Sequence, residues 1–159
     1  MENMAKNNHS ELSEETMAFI DSICMTGNTP MEHDNVKRLM LDIILSDNML
    51  ISLNADDVKG LFHDGDKITA FEANVDASKE NRMEQLVGLL KQKCENVSTI
   101  NKMMLCVFCP ADDGVGMEEL EVLNNWFSSL NSDLEIKWGI ALENSLDADK
   151  KLRGTMFVQ

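Results

Sequence analysis

The stretch "KMMLCVFCP", Lys102 to Pro110, decides how this chain is read. Apolar residues run unbroken from Met103 to Cys109, between polar neighbours. Such a run reads as a central strand covered on at least one face. Immediately before it, "SKENRMEQLVGLLKQKCENV" has helical spacing. Met83, Leu86, Val87, Leu90 and Cys94 form its buried stripe, and Ser78 is the expected cap. After the run, "GMEELEVLNNWFSSL" repeats the pattern, with Met117, Leu120, Leu123 (or Val122), Phe127 and Leu130 facing inward.

Further strands flank these helices. "KITAFEANVD" (67–76) alternates, setting Ile68, Ala70 and Glu72 against Thr69 and Phe71. "LEIKWGIAL" (134–142) places Leu134, Ile136, Trp138 and Ile140 on one face. "ENSLDADK" turns the chain. "KLRGTMFVQ" closes it as a strand, with Leu152, Thr155 or Met156, and Val158 as inner-face candidates. The order from 67 onward is β-α-β-α-β-β. The expected fold class is therefore α/β (α+β), a two-layer sandwich in which two helices cover a four-stranded mixed sheet.

Upstream lies an N-terminal helical extension. "ELSEETMAFIDSICMT" puts Leu12, Thr16, Met17, Ile20, Ile23 and Cys24 on one stripe, with Ser13 or Ser10 as cap. "GNTP" (27–30) stops this helix. A second starts near Met31 and carries Val36, Leu39, Met40, Ile43 and Ile44. The organisation is then a disordered tail at 1–10, a helical arm at 11–48 and an α/β domain at 49–159. No repeat or low-complexity segment interrupts it.

Composition narrows the function classes. Hydrophobic residues make up 43% of 159 positions, enough for one domain with one core. The net charge of −14 disfavours nucleic acid, which needs clustered Lys and Arg, and anionic membrane surfaces for the same reason. No apolar run approaches the roughly 20 residues of a membrane helix. The start "MENMAKNNHS" has no secretory apolar core, so a cytoplasmic location is expected. Cys24, Cys94, Cys106 and Cys109 then read as reduced thiols. Twelve methionines and no tyrosine give a soft, gap-filling core.

Four strings in order resemble the C-terminal domain of FtsZ, the bacterial division relative of tubulin, over residues 36 to 159. "LISLNADDV" is similar to that family's L-I-N-x-D-F-A-D-V loop. "ASKENRMEQ" is similar to its S-G-E-x-R-A helix start. "CVFCPADDGVGMEELEVL" is similar in length and apolar pattern to its strand–loop–helix unit. "WGIALENSLDADKKLRGTMFV" resembles its W-G-x-x-x-D-x-x-L-x-D-x-x-R-V-T-V hairpin. The family's glycine-rich segment after the first strand is replaced by "FEANVDAS". Its G-G-G-T-G-T-G phosphate loop, which works because backbone N–H groups approach phosphate where no Cβ intrudes, has no counterpart here. No nucleotide cofactor is expected.

The resemblance implies a place for catalysis. In that family the loop acids reach the nucleotide of the next filament subunit. The family's asparagine falls at Ser52, its first aspartate at Asn54 and its second at Asp57. Asn54 is a neutral amide and cannot act as a base. The bare residues read differently: Asn54 caps a short helix ending near His63, and Asp56 and Asp57 sit in its first turn, where acids complement the helix dipole. The favoured expectation is a module without GTPase activity. The alternatives are Asp57 as a catalytic donor to a GTPase in trans, or a small-ligand enzyme with a cleft lined by Cys109, Asp112 and Asp113.

Other motifs carry less. The C-x-x-C at 106–109 lacks a second ligand pair for zinc, and its place on a strand points the two thiols to opposite faces. Buried structural thiols are expected, and no metal site. "DDGVG" (112–116) before a helix is flanked by acids that would repel phosphate. "DADKK" lacks calcium-loop spacing. His9, His33 and His63 show no partner at a recognisable spacing. Trp126 and Trp138 read as core, and Lys102 and Lys137 as solvated strand ends. The expected partner is a protein: a second copy (homodimer) or an FtsZ-like filament protein. The candidate interaction residues are the arm's apolar stripes, Met17, Ile20, Ile23, Leu39, Met40 and Ile43, docking in cis or swapping about "GNTP".

Overall fold

The computed structural model of the chain describes residues 12–97, 99–144 and 150–159. The tail at 1–10, with His9 and Ser10, and most of the 143–150 turn lie outside the described residues.

Two amphipathic helices come first. Helix α1 (Glu14–Met25) is capped by Ser13, whose Oγ accepts from Thr16 N at 3.1 Å. Helix α2 (Pro30–Ile44) starts with a reciprocal capping box. Thr29 Oγ1 accepts from Glu32 N, Glu32 Oε1 accepts from Thr29 N, and Pro30 occupies the first helical turn. Gly27, with φ of 73°, makes the turn between them. Polar contacts pin the pair: Asp21 Oδ1 meets His33 Nε2 at 3.0 Å and Lys37 Nζ at 2.9 Å. His33 therefore does have a carboxylate partner, supplied across the helix–helix contact rather than at a local spacing. Asp64 then accepts from Ser22 Oγ (2.6 Å) and Thr26 Oγ1 (2.5 Å), tying α1 to the turn before the second strand.

Strand β1 (Met49–Ile51) and the short helix α3 (Ala55–Leu61) lead into β2 (Thr69–Asp76), α4 (Arg82–Cys94), β3 (Lys102–Pro110), α5 (Met117–Ser128), β4 (Glu135–Glu143) and β5 (Lys151–Val158). The strands order as β1-β4-β3-β5-β2. Strands β3 and β4 run parallel, and the other pairings are antiparallel. The sheet thus has five strands rather than the four expected. The segment "MLI" adds to the outer edge of β4, with Met49 opposite Ala141 and Ile51 opposite Ile140. Three residues are too few to show alternation, so this strand left no periodic trace.

The α/β sandwich stands. On one face Met83, Leu86, Val87 and Leu90 of α4, with Leu123 and Trp126 of α5, pack on Met103, Leu105, Val107, Ile140, Leu152 and Met156. The helical extension lies against the opposite face, where Ile20, Ile23, Leu39, Met40 and Ile43 meet Met104, Cys106, Phe108 and Phe157. Strand β3 is buried from Met103 to Pro110, the physical reason for its unbroken apolar run. Cys106 and Cys109 fall in opposite cores, as strand parity requires.

Three local expectations are corrected. Ser78 does not cap α4. Its N–H and Oγ both bond Asp76 Oδ1 in a tight turn, and the helix begins at Arg82, one turn later. An Asp two residues upstream offered a competing local bond. Met117 is not inward but 79% exposed, because the first residue of α5 projects past the sheet; Trp126 joins Leu123 on the buried stripe instead. Lys102 and Lys137 are not merely solvated. They pair with Glu135 (3.0 Å) and Asp57 (3.3 Å).

Candidate functional site

The loop between β1 and α3 is held from both ends. Leu53 is buried, and Val58 and Leu61 anchor the helix that follows. The loop crosses β4 at Gly139. A Cβ there would lie 2.6 Å from Ile51 O and 2.8 Å from Leu53 Cγ, so only glycine permits this approach. The Trp138-Gly139 dipeptide is thereby explained: its glycine makes room for the loop.

Within the loop, Ser52 is exposed and Asn54 is extended, with φ −135° and ψ −178°. Asn54 Oδ1 accepts from Asp57 N at 3.1 Å, and Asp57 Oδ2 accepts from Asn54 N at 2.9 Å. This is a capping box with an Asp in the usual Glu position. The remaining oxygen, Oδ1, pairs with Lys137 Nζ at 3.3 Å. Both carboxylate oxygens of Asp57 thus have partners inside the chain, and its side chain is 26% exposed. Chemically, the loop offers a neutral amide, an exposed hydroxyl and a carboxylate engaged in folding.

A second polar centre escaped sequence reading. Arg82 is buried, and its guanidinium donates Nε to Glu119 Oε2 (2.6 Å), Nη2 to Glu119 Oε1 (2.9 Å) and Nη1 to Asp113 Oδ2 (3.1 Å). It also donates to the carbonyls of Ala77, Asp113 and Gly114. The hydrogen bond from Arg82 to Glu119 raises the arginine's pKa further. Burial alone would raise the Glu119 pKa, but hydrogen bonds from Arg82 and the Gly116 N–H hold it below its ordinary value. The acids read as a repulsive loop are in part counter-charges for one arginine. The only sequence signal was an arginine beside an apolar stripe, within the "ENR" of the resemblance string.

The cleft proposed for a small-ligand enzyme does not bring its residues together. An open cleft of about 730 Å³ lies between the 77–82 turn and the 113–119 segment. Asp113 lines it, but it pairs with Arg82. Cys109 is fully buried, its Sγ 3.5 Å from Ala141 O, and burial raises its pKa. Burial likewise raises Cys106 and pushes Cys24 up to about 12. These thiols are poor nucleophiles. Among the described residues, no three His, Cys, Asp or Glu side chains form a metal-binding group, and no helix is long and apolar enough to cross a membrane.

Of the six interaction candidates, Ile20, Ile23, Leu39, Met40 and Ile43 are buried at 2% exposure or less, and Met17 is half-buried. Those five buried residues cover the sheet of their own chain. Helical periodicity identified an apolar face but not which surface covers it.

No protein-family model matches the sequence, and no curated protein matches it. Solved structures do. FtsZ of M. jannaschii, solved as an empty dimer, superposes with a TM-score of 0.59 at 17% identity, covering 87% of this chain and 42% of its own. CetZ1 from Haloferax volcanii, a GDP-bound monomer, gives 0.52 at 11% identity, covering 87% and 42%. TubZ of Bacillus thuringiensis serovar israelensis, in GDP-form protofilaments, gives 0.56 at 15% identity, covering 79% and 35%. The chain spans less than half the length of each, and at these identities the likeness concerns the fold. The chain has the fold of an FtsZ C-terminal-like domain, the architecture that its four strings pointed to.

Proposed function

We propose that this chain is a non-catalytic protein-interaction module, acting through a second copy of itself or an FtsZ-like filament protein in assembly linked to cell division. The observation that carries this reading is the 52–57 loop. Where the resemblance implies acids aimed at a neighbour's nucleotide, Asn54 is neutral, and Asp57 bonds Asn54 N and Lys137. A carboxylate with both oxygens engaged is a poor base for a water on another molecule. A dimer and protofilaments among the solved neighbours support assembly as the activity such a fold serves. A cytoplasmic setting belongs to the same reading.

Light scattering on the purified chain, together with co-sedimentation with polymerised full-length FtsZ, tests it. A mass of two copies, or pelleting that depends on polymer, supports the module. A monomer at every concentration that stays in the supernatant overturns it.

A further inference from the structure

We infer that the free edge of β2 is a self-pairing surface, on which a second copy of this chain adds its own β2 antiparallel to form one sheet across two molecules. This rests on the self-association reading above and names its surface. The helical stripes that would otherwise serve are already covered in cis.

Among the described residues strand β2 is an edge of the sheet and runs eight residues, against three for β1 at the other edge. It pairs with β5 without a register shift from Thr69 to Asp76, and none of its residues is proline. An edge of this length is a template for another strand unless guarded by bulges, proline or charged side chains, lysine above all; here the charges are Glu72 and, at the strand's end, Asp76. Its exposed positions, Asn74 and Asp76, include no lysine.

The α4 flank of this edge presents few acids in a chain of net charge −14. On one face α4 turns Glu84, Val87, Gly88 and Lys91 toward α5 and rests Leu86 and Leu90 at Gly154. Its helical repeat then turns Gln85, Leu89 and Lys93 to the side over β2. Leu89 is 37% exposed, and no acid sits among these three. On the other face Glu32 is balanced by Lys67 at 3.4 Å, and Glu72 meets Arg153 at 3.2 Å, a cation it shares with Glu143 and Asp42.

Of the registers that two-fold symmetry normal to the sheet allows, those centred on Glu72 and Ala73 keep the most of the strand paired. Opposed residues must share a face. Centring on Glu72 would oppose two glutamates, and centring on Asn74 would oppose Glu72 to Asp76; both are unfavourable. Centring on Ala73 sets Phe71 against Val75, Glu72 against Asn74 and Ala70 against Asp76. It places an aromatic beside a β-branched residue twice and opposes no two acids.

The register makes a prediction of opposite signs at one exposed position. Asn74→Asp places a carboxylate opposite the partner's Glu72 twice; Asn74→Lys places an ammonium there twice. Sedimentation equilibrium should show the dimer weakened about fivefold by Asn74→Asp and tightened by Asn74→Lys, from the size of cross-strand charge pairs, with circular dichroism unchanged. A dimer that neither variant shifts, or that both shift alike, overturns this edge while leaving self-association standing. A wild-type chain that is monomeric but pellets with FtsZ polymer overturns the edge and leaves the filament partner. A monomer that binds nothing removes both readings.

Discussion

Replacing Gly139 with alanine tests whether the 52–57 loop is held as described. The new Cβ would sit 2.6 Å from Ile51 O, 2.8 Å from Leu53 Cγ and 3.1 Å from Leu53 Cδ1. The first contact is with backbone and cannot be relieved by a rotamer change. Ile51 is itself paired to Ile140, so β1 must lift from β4 or β4 must bow. Leu53 is buried and has little room to turn away. Overpacking costs about 1–3 kcal/mol, and a clash on a paired strand belongs at the upper end. For a chain of this size that corresponds to a fall in Tm of roughly 5–10 °C. Urea unfolding followed by tryptophan fluorescence, with Trp138 adjacent, measures it. Gly88→Ala in α4, whose Cβ meets nothing within 4 Å, is the control and should be neutral or stabilising by about 0.5–1 kcal/mol. A Gly139→Ala protein as stable as wild type would refute the close approach and the loop path built on it.

Arg82→Met should destabilise by about 3 kcal/mol in the same assay, because Glu119 and three carbonyls lose their buried donor; Arg82→Lys should recover only part. Thr155→Val should stabilise by about 1 kcal/mol, since its buried Oγ1 has no hydrogen-bond partner among the described residues; a loss would reveal a hidden partner. Acid should also weaken the fold. The pKa of Asp21 is lowered by the Lys37 hydrogen bond, that of Asp64 by bonds from Ser22 and Thr26, and that of Asp76 by Ser78. Folded-state values below the unfolded ones give stability present above about pH 4 and lost as pH falls through the folded values. The urea midpoint should hold from about pH 8 to 6 and drop toward pH 3, and Asp64→Asn should shrink that drop.

Elements with a full period were legible in the sequence. The stripes of α1, α2 and α4 predicted their buried residues, because each helix rests one face on a sheet. The run 103–109 marked a central strand covered on at least one face, and the structure covers both. The Asn54 cap was readable because an amide before a helical start has few other uses. What failed depended on contacts distant in sequence. Strand β1 is strand only because β4 lies beside it. Arg82 finds Glu119 across 37 positions and His33 finds Asp21 across 12, and no local pattern encodes either. The arm's apolar stripes were visible, but a stripe does not say whether its cover comes from the same chain. The Ser78 cap lost to Asp76, a competition settled by a turn whose geometry the sequence only suggests.

In the proposed function Asp57 serves folding rather than catalysis in a neighbour. The direct test is phosphate release from GTP by a full-length FtsZ, alone and with this chain as wild type or Asp57→Asn. The variant keeps an oxygen for the Asn54 N–H and removes the charge. Turnover should be unchanged or lowered by the wild-type chain, with Asp57→Asn behaving the same. A rise in turnover with the wild-type chain that Asp57→Asn abolishes would contradict it.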